Sequence, residues 1–138
     1  MPMSVAALYE MAERRKIPVY SFPFKKLPSL SIMDDDGDCA IGLQNELRGP
    51  QEHVCLAHEM GHCLTGAFYR RTTSGAVRGK CEYKADKWAF YRLVPPTVLE
   101  KLLIEDSLSV EEIAEHFDVT IDFLLRAMDY YACVKPMK

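Results

Sequence analysis

Between residues 4 and 15 the apolar side chains fall at Val5, Leu8, Tyr9 and Met11/Ala12, the spacing of one helix face, and Ser4 stands where a cap belongs. This predicts a packing helix. The period then changes: Ile17 to Phe22, Leu30 to Met33 and Cys39 to Leu43 are short strand-like runs, separated by Pro23, Pro28 and the turn Asp34-Asp35-Asp36-Gly37-Asp38. They predict a small three-stranded sheet of antiparallel type. Helical spacing returns from Gln51 to Ala67, with Val54, Leu56/Ala57, Met60 and Cys63/Leu64 apolar. Tyr69 to Lys80, with four basic residues and two glycines, reads as an exposed, mobile loop. A second central helix is predicted from Cys81 to Val94, where Pro95-Pro96 stops it. Three short helices follow at about 97–105, 110–117 and 121–132; Ser109 with Glu112 forms a capping box for the second, and Thr120 caps the third.

The expected architecture is α+β, one domain over 1–138: helix and sheet in 1–50, two central helices in 51–95, and packing helices in 96–138. A length of 138 residues with 49% hydrophobic and 27% charged residues suits a single core. The net charge of -3 offers no basic field toward nucleic acid or anionic lipid. No apolar run approaches the roughly 20 residues needed to cross a bilayer, and the first sixteen residues lack a signal-peptide core, so a cytoplasmic protein without a membrane partner is expected. Five cysteines, odd in number and irregular in spacing, are expected to be free thiols in a reducing compartment.

His58-Glu59-Met60-Gly61-His62 is an HExxH motif within the first central helix. Residues four apart project from one helix face, so two imidazoles at this spacing can share a zinc ion. The adjacent carboxylate of Glu59 sits beside the ion and can act as general base toward a water. Chance yields such a motif in well under about one chain in a hundred, although packed or surface histidines are the bland alternative.

A catalytic zinc takes a third protein ligand and keeps one position open. Glu82, twenty positions after His62 on the next helix, is the candidate, with Asp86 one turn later placed to orient a ligand histidine. Cys81 is the strongest competitor for the third position. Cys63 lies about 100° round the helix from His62; His53 and His116 belong to other faces or elements. The metzincin extension is absent, since Thr65 and Phe68 occupy its positions. For the oxyanion donor Tyr69, Arg70, Arg71 and Tyr83 all remain candidates, and the basic loop could close over substrate. Asp34, Asp36 and Asp38 alternate as in a calcium loop, but Gly37 comes fourth instead of sixth, which favours a hairpin turn.

With HExxH followed by Glu82-Tyr83-Lys84-Ala85-Asp86-Lys87-Trp88-Ala89 and then Leu93-Val94-Pro95, the chain resembles the ImmA/IrrE-type metallopeptidases. Trp88 replaces the commoner Phe of that pattern, and the similarity extends to the early helix, the Ile-Pro-Val strand and the late helices. The resemblance implies a gluzincin-like fold around one zinc ion per chain, ligands matching His58, His62 and Glu82, and catalytic Glu59. It also implies a substrate, a helix-turn-helix repressor, and a phage or mobile-element setting.

Two non-enzymatic alternatives stand beside this reading. One is an antirepressor that acts by binding, with a structural metal. The other is a DNA- or protein-binding module built on the closing helices. Glu111, Glu112, Glu115, Asp118, Asp122 and Asp129 oppose only Arg126 there, which makes direct nucleic-acid binding a poor expectation.

Overall fold

A computed structural model describes residues 2–69 and 74–134. The chain is α+β, with six α-helices and one three-stranded sheet among those residues. In order these are α1 (Val5–Arg14), β1 (Val19–Phe22), β2 (Ser29–Met33), β3 (Cys39–Gln44), α2 (Gly49–Thr65), α3 (Gly75–Leu93), α4 (Pro96–Glu100), α5 (Val110–Phe117) and α6 (Ile121–Val134). A π-helical turn, Lys101–Glu105, continues α4. No helix is long and apolar enough to cross a membrane among the described residues.

The caps fall where the hydroxyl side chains predicted them. Ser4 accepts from the Ala7 amide at 3.1 Å, Ser109 and Glu112 close a reciprocal capping box, and Thr120 accepts from Phe123 at 3.1 Å. The sheet differs from the antiparallel expectation: it is mixed, in the order β1-β3-β2. The Asp34–Asp38 turn makes β2 and β3 an antiparallel hairpin, and β3 enters between its predecessors, which sets it parallel to β1 with Val19 opposite Ile41 and Phe22 opposite Gln44. Hydrophobic alternation fixes which face of a strand is buried and is silent on which neighbour it pairs with.

The loop expected up to Lys80 is also shorter than predicted, because α3 begins at Gly75, capped by Ser74. Its first two turns are exposed, and a helix segment with no buried face leaves no apolar period to detect.

Strand alternation turns Ile41 and Leu43 toward the helices, where they join one cluster with Leu8, Leu56, Met60, Leu93, Phe123 and Leu124. Each such fully buried side chain contributes roughly 1.5–3 kcal/mol of transfer free energy. Cys39 shares this inward face, and it is disulfide-bonded to Cys63 of α2. That overturns the expectation of five free thiols; Cys55, Cys81 and Cys133 alone are free. A partner 24 residues distant across two elements gives no local spacing to read.

α2 is the central element, packed on the sheet, α1 and α3. His53, 1% exposed, anchors its first half, its ring nitrogens 2.8 Å from the Asp118 carbonyl oxygen and 2.9 Å from that of Met3. Further along, α2 and α3 approach backbone to backbone at Gly61. A Cβ there would lie 2.5 Å from the carbonyl oxygen of Ala85 and 3.0 Å from its Cα.

Candidate metal centre

That close approach sets the geometry of the site. With no side chain at Gly61 and only a methyl at the fully buried Ala85, α3 comes near enough for Glu82, about one turn before Ala85, and Asp86, next to it, to reach the histidines of α2. His58 Nε2 lies 2.8 Å from Glu82 Oε2, and His62 Nε2 lies 3.3 Å from the same oxygen. The two rings stand nearly perpendicular, 4.8 Å apart. His58, His62 and Glu82 thus present one ligand atom each within 4.8 Å of the others.

Each histidine is also held from behind. His58 Nδ1 donates to Asp86 Oδ1 at 2.9 Å, and Asp86 Oδ2 accepts from Arg126 of α6 at 2.5 Å. His62 Nδ1 donates to the Ala67 carbonyl at 2.6 Å, in the turn after the left-handed Gly66 that ends α2. These bonds leave both Nε2 atoms directed at Glu82.

The electrostatics suit a cation. Burial works against charge on His58, but the carboxylates of Asp86 and Glu82 outweigh it and raise the pKa to about 10. His62 is raised in the same way, with burial overcome by Glu82 and the Ala67 carbonyl. Hydrogen bonds from His58 and His62 hold the Glu82 carboxyl far below the usual carboxylate range. Two imidazoles and a carboxylate converging in this way are a donor set that a divalent ion such as zinc can take.

Glu59 faces the same cleft from α2 without joining this group. It is 5% exposed, and its two oxygens accept from Ser29 and Ser31 of β2, each at 2.6 Å. These serines went unremarked in the sequence, although their spacing of two, on a strand whose other residues are apolar, was a usable signal. The sequence assigns no site role to Arg126, Gly61 or Ala67, since only the fold brings them to the site.

The cleft has a volume of about 400 Å³ and runs between β2, α2 and the segment after it. Tyr69 lines it and donates to Glu82 Oε1 at 2.7 Å, a bond that raises the Tyr69 pKa to about 12. Tyr83, another oxyanion candidate, is not brought to the cleft: one residue round the helix from Glu82, it packs on Tyr130 with ring centres 5.8 Å apart. Arg70 and Arg71 lie outside the described residues. The Cys81 thiol is directed to the Phe68 carbonyl at 3.5 Å. His116 stacks edge-on against Phe117, and His53 is committed to its two carbonyls. The exposed Asp34, Asp36 and Asp38 carboxylates cluster, but Asp34 Oδ1 accepts from the amides of Asp36 and Asp38, as a turn requires.

Asp86 is expected to act through His58. Asp86→Ala should weaken zinc binding about 10- to 100-fold in a competition titration with a chromophoric chelator, because the imidazole loses its orienting acceptor. An affinity equal to wild type would leave Asp86 a bystander.

No protein-family model matches the chain, and no curated protein sequence matches it.

Proposed function

We propose that this chain is a zinc-dependent endopeptidase of the ImmA/IrrE type, with a gluzincin-like active site, that cuts a helix-turn-helix transcriptional repressor. The observation that carries the reading is the meeting of His58, His62 and Glu82 at one point, with the Glu59 carboxylate held separately on the same cleft.

His58, His62 and Glu82 would hold the ion. Zinc bound there would supply a Lewis acid that acidifies a water and polarises the scissile carbonyl. Glu59 takes the proton of the attacking water and delivers it to the leaving amine. Ser29 and Ser31 fix the direction of that carboxylate by occupying both of its oxygens. Tyr69, whose hydroxyl donates to Glu82, can turn from it to donate to the oxyanion instead. β2 pairs with β3 on one side only, so its other edge offers main-chain groups along which an extended segment of the substrate can lie.

This chemistry requires an accessible, extended stretch of substrate, such as a linker between the domains of a repressor. The test is incubation of the zinc-loaded chain with helix-turn-helix repressors, the products being weighed by mass spectrometry. One internal cut, abolished by chelation and restored by zinc, is expected. Intact repressors throughout, or cutting that persists in excess chelator, would contradict the proposal.

A further inference from the structure

The sheet buries one face and leaves the other bare. Ser29 and Ser31 meet Glu59, and Ile41 and Leu43 enter the core; alternation therefore sends Tyr20, Phe22, Leu30 and Ile32 outward. These four are 53, 47, 41 and 60% exposed. Between the two edge strands, Ala40 and Gly42 of β3 form the floor of a trough of about 350 Å³, and Phe24 folds over one end, its ring 3.0 Å from where a Gly42 Cβ would stand. A contiguous apolar face of this kind marks an interaction surface.

The charges at its ends say what covers it. The segment after Phe22 carries Lys25 and Lys26, both exposed, at the end where β1 and β3 finish. The opposite end carries the exposed turn with Asp34, Asp35, Asp36 and Asp38. The face is thus apolar along its length, basic at one end and acidic at the other.

We propose that it is the interface of a homodimer, related by a two-fold axis that lies between the faces and across the strands. That operation reverses the strands of the second copy, so each acidic turn meets the other copy's Lys25-Lys26. It also lays β1 on β1 and β2 on β2, and with the axis at the level that Tyr20 and Leu30 share with Gly42, each of these two meets its own counterpart in the second copy. The contact is self-complementary, as a two-fold interface must be. The active-site cleft lies on the other side of β2 and stays open in the dimer. β2 nonetheless serves both sides, since Leu30 and Ile32 alternate with Ser29 and Ser31.

Sedimentation equilibrium of the full chain tests this without reference to any catalytic activity. From about 1 to about 100 µM the wild type should pass to twice its 15.7 kDa mass, and added salt should weaken the association. Ile32→Asp should remain a monomer; the residue is exposed, and an unchanged thermal melt will show that the fold survives. The pair Lys25→Glu/Lys26→Glu and the pair Asp35→Lys/Asp36→Lys should each weaken dimerisation at least about tenfold when alone. Their equimolar mixture should recover part of it, because in the mixed dimer one junction again sets the four-aspartate turn against Lys25-Lys26, while the other sets the two new glutamates against a turn with no net charge. A wild type that stays monomeric, a dimer indifferent to Ile32→Asp, or a mixture no better than either variant would overturn the proposal.

Discussion

Gly61→Val is expected to do more damage than any other single change in the HExxH segment outside its three functional side chains. The new Cβ would meet the Ala85 carbonyl at 2.5 Å, and that atom belongs to the backbone of α3, which cannot swing aside as a side chain would. Relief requires α2 and α3 to separate along their length. Overpacking of this kind costs about 3 kcal/mol or more, which lowers the midpoint of a thermal melt by about 10 °C. Separation also draws Glu82 away from His58 and His62, so zinc affinity should fall with stability. Gly79→Ala, on the same α3 helix but with nothing within 4 Å of its new Cβ, should act in the opposite direction and stabilise by about 0.5–1 kcal/mol. Circular dichroism melts of the two variants decide the matter. Equal midpoints would mean that the helix crossing is looser than the structure has it.

Glu59→Gln separates the reaction from the metal. The Gln carboxamide is isosteric; its oxygen can accept from one serine of β2 while its NH2 donates to the other, so the fold and the cleft should persist. What it cannot do is accept a proton from water. Repressor cleavage by the zinc-loaded variant should therefore fall about 10³-fold, equivalent to about 4 kcal/mol in the barrier, with zinc content unchanged. Cleavage at the wild-type rate would remove Glu59 from the mechanism. Loss of the metal together with activity would instead make Glu59 part of the ion's support.

Legibility in the sequence followed the range of each interaction. HExxH could be read because its spacing is intrinsic to one helix. The capping box of α5 and the Asp-Gly hairpin turn were readable for the same local reason. Glu82 and Asp86 could be nominated from their spacing on one predicted helix, but their approach to the histidines depends on Gly61 and Ala85, two residues with nothing polar to advertise them. The parallel pairing of β1 with β3 and the Cys39–Cys63 bond are long-range facts, and alternation alone cannot choose a strand's neighbour or a thiol's partner. The first turns of α3 escaped because an exposed helix has no apolar stripe. Tyr83 misled for a geometric reason: proximity to Glu82 in sequence is a rotation of about 100° on a helix, which carries it to Tyr130 and away from the cleft.

The central claim is that His58, His62 and Glu82 form a metal site, and elemental analysis of purified wild-type protein beside Glu82→Ala tests it most directly, with no substrate required. Glu82 contacts both imidazoles, so its removal should take away the third ligand and the negative charge that favours a cation between them. About one zinc per chain in the wild type and a clear loss in Glu82→Ala is the predicted result. A wild type that takes up no metal when zinc is supplied, or a variant that retains it in full, would contradict the account.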